Sequence, residues 1–538
     1  MFRRLILTIF LLFFLKNLFS QIQLYPSNTD IQFNTYSLLF KKDCSINSSF
    51  APFLKSDFDT ISKYLYNYSY RDSIFISRRS HKQIWKSLRR ESWFTVDSAD
   101  YKLKIDPFIN FSFSRGVNSD TSNFYVNTRG IIVHGQVGKR FNFVTMYAEN
   151  QATFPEYMSN RIASDTVIPG QGYPKPFKSN GYDYGYASGY IEYNASKFLN
   201  LRFGQGKNFI GNGYRSLLLS DASFNYPYLL TSSKIWKFQY INIFSSFMNF
   251  STSHSYESGF RKKYASTHYL IYKINKSMEI SLFESTMWKT QQVSNNKFDL
   301  RYINPIIFSN TIQYNLGNEN NTIIGLNFSS KLKEKNLVYG QVVIDNFDTE
   351  HKKEKGFIQQ KYGFQIGIKG INLFKIPNLS YLLEYNQVQP YTYAHKNNLQ
   401  SFNHYNEPLA HPLGANFQET VLITRYTSND FYINLKINYA FYGADSLGSH
   451  WGKDISKSDF QAQRPDAQIS VGNHLAQGVR TTLWFKSFTL GYIINPANNM
   501  VIEGGIQQRE EFSELIKNRN IYIFIAFRTK LFNNYYDL

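Results

Sequence analysis

The chain of 538 residues carries 59 Lys and Arg against 39 Asp and Glu, a formal net charge of +20. The basic residues are scattered among acidic ones without a nucleic-acid-binding signature, which favours a basic surface near lipid phosphates over a nucleic-acid partner. Cys44 is the single cysteine, so an intramolecular disulfide is excluded.

The first twenty residues have the organisation of a secretory signal peptide. Arg3 and Arg4 precede an apolar run from Leu5 to Leu15, which is too short to span a bilayer as a helix. Ser20 is a small residue that suits the position before a cleavage site. We therefore expect a signal peptide at 1–20 and an exported protein, with a buried N-terminal helix as the alternative.

Residues 21–100 lack the alternation that marks the rest of the chain. In HKQIWKSLRR (His81 to Arg90), Ile84, Trp85 and Leu88 share one helical face. This pattern predicts a small, partly helical periplasmic segment at 21–100.

From residue 101 onward, side chains alternate with a period of two. In FYINLKINYAF, every second residue from Phe431 to Phe441 is apolar or aromatic, and the residues between them are mostly polar. KYGFQIGIKG (Lys361 to Gly370) repeats the pattern, and no apolar run after the signal is long enough for a helical membrane span. Such segments of about ten residues are typical of transmembrane strands, although a soluble sandwich also alternates. We predict an all-β fold, an outer-membrane β-barrel at 101–538.

Segments of this kind predict about 18 antiparallel strands, an even number as bacterial single-chain barrels require. With a periplasmic N-terminus, the long connections fall on the extracellular side, except for two medium ones at 250–265 and 287–304. The predicted strands begin near Lys104, Tyr125, Asn142, Gly185, Asn200, Lys234, Thr267, Glu279, Pro305, Thr322, Leu337, Tyr362, Leu379, Thr420, Phe431, Thr481, Met500 and Ile521.

Five stretches spread along the chain carry a family resemblance. They are GNGYRSLLLSD (Gly211 to Asp221), YINPIIF (Tyr302 to Phe308), EYNQVQPYTY (Glu384 to Tyr393), YNEPLAHPLGANF (Tyr405 to Phe417) and RTKLFNNYYDL (Arg528 to Leu538). Together they resemble the Wzi-like capsule-assembly proteins, and within that group the RemB-type outer-membrane proteins associated with gliding motility. The resemblance implies an outer-membrane barrel of about 18 strands, closed on the periplasmic side by an N-terminal helical plug. It also implies a lectin that holds exported polysaccharide at the cell surface.

The stretch YNEPLAHPLGANFQE (Tyr405 to Glu419) contains groups that could carry chemistry. His395, His404 and His411 share its connection with Glu407, but separations of nine and seven residues match no compact ligand pattern, so no metal is expected. Glu407 and Glu419 would form a general acid and base only if they faced each other.

The same stretch has the composition of a stiff connector. Pro408 and Pro412 restrict the backbone, and Gly414 can adopt positive φ. These residues favour a rigid connector or lumen plug over direct ligand contact.

In GNGYRSLLLSD, Arg215 and Asp221 are expected to pair inside the barrel, with ligand binding as the alternative. Sugar binding requires aromatic faces beside hydrogen-bonding side chains, and the predicted outer connections contain both. The candidate ligand-binding residues are Tyr214, Arg215, Asp221, Tyr391, Tyr393, His404, Tyr405, Glu407, His411 and Trp451.

The leading hypothesis is a non-enzymatic outer-membrane barrel that binds or organises surface polysaccharide, with an accessory role in gliding motility as its extension. A porin-like channel and an outer-membrane hydrolase are the alternatives. The expected partners are outer-membrane lipid, lipopolysaccharide, surface polysaccharide and other envelope or motility proteins. No cofactor and no nucleic acid are expected.

Overall fold

A computed structural model describes most of the chain, and eighteen strands of the described part close into one antiparallel barrel. The described residues are 29, 32–33, 39–41, 46–54, 88–89, 91–118, 122–250, 260–289, 303–309, 311, 320–346, 350–351, 353–445, 449–461 and 470–538. The strands are β1 (Tyr101–Gly116), β2 (Asn123–Val137), β3 (Phe141–Thr153), β4 (Gly181–Asn194), β5 (Leu199–Gly206), β6 (Tyr226–Ile235), β7 (Phe238–Asn249), β8 (Arg261–Lys273), β9 (Met278–Lys289), β10 (Asn321–Leu332), β11 (Asn336–Asn346), β12 (Lys361–Gly370), β13 (Leu379–Val388), β14 (Phe417–Ser428), β15 (Phe431–Ala444), β16 (Val479–Asn495), β17 (Met500–Phe512) and β18 (Lys517–Thr529).

Successive side chains of each strand point alternately to the outer and the inner face of the barrel wall. Each strand pairs with its neighbour in the sequence, and β18 closes the barrel on β1, with Tyr522 opposite Gly116. On β12, Ile366 points outward and is 57% exposed, whereas the adjacent Gln365 is buried in the lumen. An apolar outer face and closed strand pairing are what a bilayer demands, because hydrocarbon cannot satisfy a free backbone group. The predicted outer-membrane β-barrel is confirmed.

The predicted strand count of 18 is right, but two of the predicted strands were wrong. The stretch around Lys234 is a hairpin of two strands, β6 and β7, joined by the two-residue turn Trp236–Lys237. The stretch near Pro305 is not a strand. With these corrections, the connections 250–260 and 290–320 both lie at the long-loop end, which removes the two exceptions to the loop-length rule.

Residues 303–309 and Thr311 pack against the outside of the wall. Glu279 of β9 reaches the lumen, where it accepts a hydrogen bond from Ser49, so Glu284, five residues further along, faces outward. Glu284 nevertheless has no exposed surface, because it accepts hydrogen bonds from the amides of Phe308 (2.5 Å) and Thr311 (3.0 Å). The segment thereby shields the Glu284 carboxyl group from lipid, which would not solvate it.

The connections divide by length between the two ends of the barrel. Those following even-numbered strands have two to eight residues, and those following odd-numbered strands have four to 34. In outer-membrane barrels the short turns are periplasmic and the long loops extracellular. Among the described residues, no helix is both long and apolar enough to cross a bilayer. The helix α1 (Glu156–Asp165) lies in the extracellular connection between β3 and β4.

The lumen is filled by protein. The connection 207–225, most of 389–416 and residues 531–538 fold into it, and their apolar side chains form the main core with the inner wall. From the N-terminal region, residues 46–54 enter the lumen as well, where the short strand Phe50–Ala51 pairs with Phe209–Ile210. Of the predicted helix at 81–90, only Leu88 and Arg89 are described, and both are helical.

Substitution Glu284→Ala should release the outer segment. The change removes a charged acceptor from two amides, a loss of about 1.5–3 kcal/mol for each bond. Hydrogen exchange at Phe308 and Thr311 should therefore accelerate about tenfold or more. Glu279→Ala removes a carboxylate from the opposite face of the same strand and should leave both amides protected; equal acceleration in the two variants would contradict this packing.

Candidate functional site

The connection 207–225 is held in the lumen by a wall carboxylate. Glu384 of β13 accepts hydrogen bonds from the backbone amides of Tyr214 (2.8 Å) and Arg215 (3.0 Å). Gly213 makes this close approach possible, since a Cβ at that position would lie 2.1 Å from the Glu384 carboxylate. Gly213 therefore allows the backbone of the GNGYR stretch to pack directly against the Glu384 side chain.

Arg215 joins three distant parts of the chain. Its guanidinium contacts the carboxylates of Glu419 on β14 (2.8 Å) and Asp537 near the C-terminal end (3.0 Å), and all three side chains are at most 1% exposed. Lys436 of β15 supplies a second cation to Asp537 at 2.5 Å. The guanidinium also stacks on Tyr214, 4.6 Å from the ring centroid. We call Tyr214, Arg215, Glu419, Lys436 and Asp537 the plug network.

Arg215 therefore pairs inside the barrel, but the predicted partner was wrong. Asp221 instead accepts a hydrogen bond from the Tyr535 hydroxyl at 2.5 Å. The carboxylates that neutralise Arg215 lie 204 and 322 residues away in the sequence. Burial of a guanidinium demands acceptors at close range, and tertiary structure supplies them where the local sequence does not.

The connection 389–416 reaches the plug network through His411. Its Nε2 lies 2.6 Å from a Glu419 oxygen, and its Nδ1 accepts a hydrogen bond from the Leu413 amide. Burial lowers the pKa of His411 below its ordinary value, despite the opposing effect of Glu419. The ring is therefore neutral at neutral pH, with Nε2–H donating to Glu419.

A second cluster of buried polar residues surrounds Glu407. Its Oε1 accepts a hydrogen bond from the Gly170 amide (2.7 Å), while Lys207 donates to the carbonyl oxygens of Gly170 (2.8 Å) and Asp221 (3.0 Å). Burial raises the pKa of Glu407 to about 8 and lowers the pKa of Lys207. The Glu407 carboxyl is thus largely protonated at neutral pH, which suits a site without a direct cation partner.

Most of the predicted ligand-binding residues lie inside the plug with protein partners. The hydroxyls of Tyr391 and Tyr393 donate to the carbonyls of His450 (2.9 Å) and Leu217 (2.7 Å), and His404 accepts a hydrogen bond from a backbone amide. Tyr405 and Trp451 keep part of their surface exposed. The buried set is Tyr214, Arg215, Asp221, Tyr391, Tyr393, His404, Glu407 and His411. Within the described ranges, no three His, Cys, Asp or Glu side chains are arranged to hold a metal ion.

Tyr405 belongs to a group of aromatic rings at the extracellular end. Its ring centroid lies 4.2 Å from that of Phe250 and 5.0 Å from that of Phe224. Phe250 also contacts Phe260 (4.1 Å) and Tyr173 (6.3 Å), and Tyr173 is 60% exposed. We call these five rings the outer aromatic cluster.

The outer aromatic cluster assembles from four extracellular connections. Sequence analysis identified only Tyr405, because the other four rings lie in segments without alternation or a family motif. For two of these four rings a position next to a strand end was an available signal: Phe250 directly follows β7 and Phe260 directly precedes β8.

These features define a transmembrane β-barrel of the outer-membrane type whose lumen is plugged by its own chain. No protein-family model and no curated protein matches the sequence. Among solved structures, the chain is similar to Wzi of Escherichia coli, an outer-membrane, carbohydrate-binding β-barrel involved in group 1 capsule assembly. That alignment has a TM-score of 0.53 and 13% identity, and it covers 94% of this chain and 98% of Wzi.

Two other outer-membrane barrels align at lower scores. OccK1 (OpdK) of Pseudomonas aeruginosa has a TM-score of 0.42 and 8% identity, over 79% of this chain and 98% of that chain. OccAB2 of Acinetobacter baumannii has a TM-score of 0.42 and 10% identity, over 79% and 97%. At 13% identity the likeness to Wzi concerns the fold alone, and it supports a fold like that of Wzi.

Substitution Arg215→Met should loosen the plug. It leaves Glu419 and Asp537 buried without their guanidinium, which costs about 3–5 kcal/mol for a broken buried pair. Hydrogen exchange at residues 535–537 should accelerate at least tenfold while the barrel stays folded on unheated gels. Arg519→Met, which removes a largely exposed guanidinium paired with Glu510, serves as the control and should leave this region protected. Unchanged exchange in Arg215→Met would contradict the role of the plug network.

The connection 389–416 should dock less firmly as pH rises. The folded pKa of Glu407 is about 8 against 4.5 ordinarily, so between these values the docked carboxyl holds a proton that the undocked one has lost. The contribution of Glu407 to docking is fully present below about pH 4.5 and falls by up to about 1.4 kcal/mol per pH unit toward pH 8. The lowered pKa values of His404 and His411 in the same connection oppose docking as pH falls below 6.5, so the net loss with rising pH is expected above pH 6.5. Lys207 and the Arg161–Asp165 pair are the other charges nearby.

Hydrogen exchange in residues 403–409 between pH 6.5 and pH 8, corrected for intrinsic rates, measures this dependence in the range where His404 and His411 are largely neutral. Glu407→Gln keeps the shape without the titrating proton and should flatten it. A slope of the same size in Glu407→Gln would assign the pH dependence to another group.

Proposed function

We propose that this protein binds surface polysaccharide through the outer aromatic cluster and thereby serves the assembly or attachment of a capsule or exopolysaccharide. The observation that carries the proposal is the convergence of five rings from four extracellular connections above a filled lumen. Rigid rings offer a large contact area to the apolar faces of sugars at low entropic cost. Tyr173, at 60% exposure, presents the most accessible ring of the cluster.

The surroundings of the cluster favour an acidic polysaccharide. Lys175 lies two residues after Tyr173, Arg261 directly follows Phe260, and both basic side chains are exposed. Cations beside aromatic faces suit sugars that carry carboxylates or phosphates. The fold shared with Wzi, which is a carbohydrate-binding barrel, supports the same class of ligand.

The filled lumen and the burial of the candidate groups argue against the two alternatives. A porin-like channel requires a water-filled path, whereas three connecting or terminal segments and residues 46–54 occupy this lumen. A hydrolase would require accessible acid and base groups. His411 has no exposed surface and Glu407 is 4% exposed, so neither side chain meets a substrate in this conformation.

The proposal includes export by a signal peptide at 1–20 and an N-terminal periplasmic segment within 21–100. Its partners are outer-membrane lipid, lipopolysaccharide and the polysaccharide, together with other envelope proteins. The resemblance to gliding-motility proteins extends the proposal to surface movement. A deletion strain scored for spreading tests that extension separately from capsule retention.

The double substitution Tyr173→Ala and Phe260→Ala should weaken polysaccharide binding. Each ring contributes about 0.5–1.5 kcal/mol beyond its buried area, so a combined loss of about tenfold or more in affinity is expected. The measurement is binding of the purified, detergent-solubilised protein to the surface polysaccharide of its own cell. Tyr193→Ala removes a 42% exposed ring near the periplasmic end of β4 and is the matched control. Equal affinity in all three proteins would rule out the cluster as the site.

A further inference from the structure

The two ends of the barrel differ in charge. The eight periplasmic turns carry eight Lys or Arg and two acidic residues, a net charge of +6, and all eight cations lie in the six turns between β2 and β13. The nine extracellular connections carry 14 Lys or Arg against 16 Asp or Glu, a net charge of −2. The basic excess of the connections therefore lies at the periplasmic end. We call the eight cations the basic rim: Lys139, Arg140, Lys197, Lys237, Lys276, Lys333, Lys335 and Lys375.

Exposed apolar side chains accompany these cations. At all six turns a large apolar residue lies within two positions of a cation of the basic rim; at the turn 138–140 it is Val137, which is 51% exposed. Two of the pairs are in contact: Lys197 lies 4.8 Å from the Phe198 ring centroid, and Lys237 lies 5.4 Å from that of Trp236. At the other five turns the apolar residues and their exposures are Phe198 (50%), Trp236 (80%), Ile274 (39%), Leu332 (44%) and Phe374 (83%).

Two of these apolar residues occupy backbone positions that favour glycine or asparagine. Trp236 has φ of 55° and Phe374 has φ of 52°, both in the left-handed region. A bulky residue there costs about 1 kcal/mol or more, and two-residue hairpin turns ordinarily use Asn-Gly or a similar pair. The contacts of Trp236 with Lys237 and Phe238 leave 80% of it exposed, and Phe374 is 83% exposed. Large residues that are both strained and this exposed indicate a contact outside the chain.

The aromatic part of the rim is continuous with the lipid-facing wall. The Trp236 ring lies 6.0 Å from Phe238, which stacks on Tyr272 at 4.8 Å. Phe238 faces outward, because the adjacent Gln239 is buried in the lumen beside Ser232. The rim therefore lies where the hydrocarbon of the inner leaflet gives way to headgroups.

We propose that the basic rim binds the phosphate headgroups of anionic phospholipids, such as phosphatidylglycerol, in the leaflet that faces the periplasm. The apolar side chains enter the acyl region while the flexible Lys and Arg side chains reach the phosphates. A soluble acidic protein would also be attracted by the charge. Attraction by charge alone would leave the exposed rings of Trp236 and Phe374 in water, and for that reason we assign the rim to lipid.

Quenching of tryptophan fluorescence by brominated lipid tests the proposal. The full chain is reconstituted into phosphatidylcholine vesicles that contain either dibrominated phosphatidylglycerol or dibrominated phosphatidylcholine. The contribution of Trp236 is the difference between the quenching of the wild type and the quenching of the Trp236→Phe variant. Because one cation near a bilayer surface contributes about fivefold in affinity, phosphatidylglycerol should be preferred by about fivefold or more in the wild type.

The variant that tests the charge replaces three cations on the turns nearest Trp236; Lys197 and Lys276 are exposed, and Lys237 is half-buried and donates to the Ile274 carbonyl. Lys197→Gln, Lys237→Gln and Lys276→Gln together should reduce the preference to about onefold. Lys175→Gln with Lys178→Gln removes two exposed cations from the extracellular end and should leave the preference intact. Equal quenching by the two lipids in the wild type, or an unchanged preference in the triple variant, would overturn the proposal. The proposal would also be overturned if the solubilised wild type bound polyglutamate while the reconstituted wild type showed no preference between the two lipids.

Discussion

The buried ion pairs of Arg215 with Glu419 and Asp537 hold the interior of this barrel in place. They connect an extracellular connection, a wall strand and the segment beyond β18, so the three parts cannot move independently. Inside the lumen each charge is removed from water, and its stability depends on partners at close range. Lys436 balances the second carboxylate, which leaves two cations and two carboxylates in one compact group. The hydrogen bond that His411 donates to Glu419, and those that Glu384 accepts from the amides of Tyr214 and Arg215, extend the same constraint to two further segments.

A plug held in this way changes what the barrel can do. An eighteen-stranded wall without a plug encloses a water-filled space, whereas this lumen is packed with Tyr, Leu and Ala side chains and buried polar groups. The extracellular connections then form a fixed surface above the plug instead of the mouth of a pore. Tyr391, Tyr393 and Tyr405 adopt positive φ in the connection 389–416, a strained arrangement that burial of the connection maintains. The outer aromatic cluster is built on this fixed base, and a preorganised surface loses little entropy when it binds a sugar.

Alternation along the sequence was sufficient to predict the barrel and most of its strands. It failed at Trp236–Lys237, where the hairpin turn has no Gly, Asn or Asp to mark it, and near Pro305, where an apolar segment covers the outside of the wall. The two errors compensated each other in the strand count.

The plug was anticipated from Pro408, Pro412 and Gly414, and Gly414 does adopt positive φ. The partners of Arg215 could not be predicted, because contacts across hundreds of residues leave no local pattern. The same limit applies to Tyr173, Phe224, Phe250 and Phe260, which only the folded chain brings together.

The central claim is that the chain closes its own lumen and acts at its outer surface. Single-channel recording of the purified protein in planar bilayers tests this claim most directly. We expect no steady conductance for the wild type, because the path of ions is occupied by residues 46–54, 207–225, 389–416 and 531–538. A large, steady conductance in the wild type, of the size that an open eighteen-stranded barrel would carry, would contradict it.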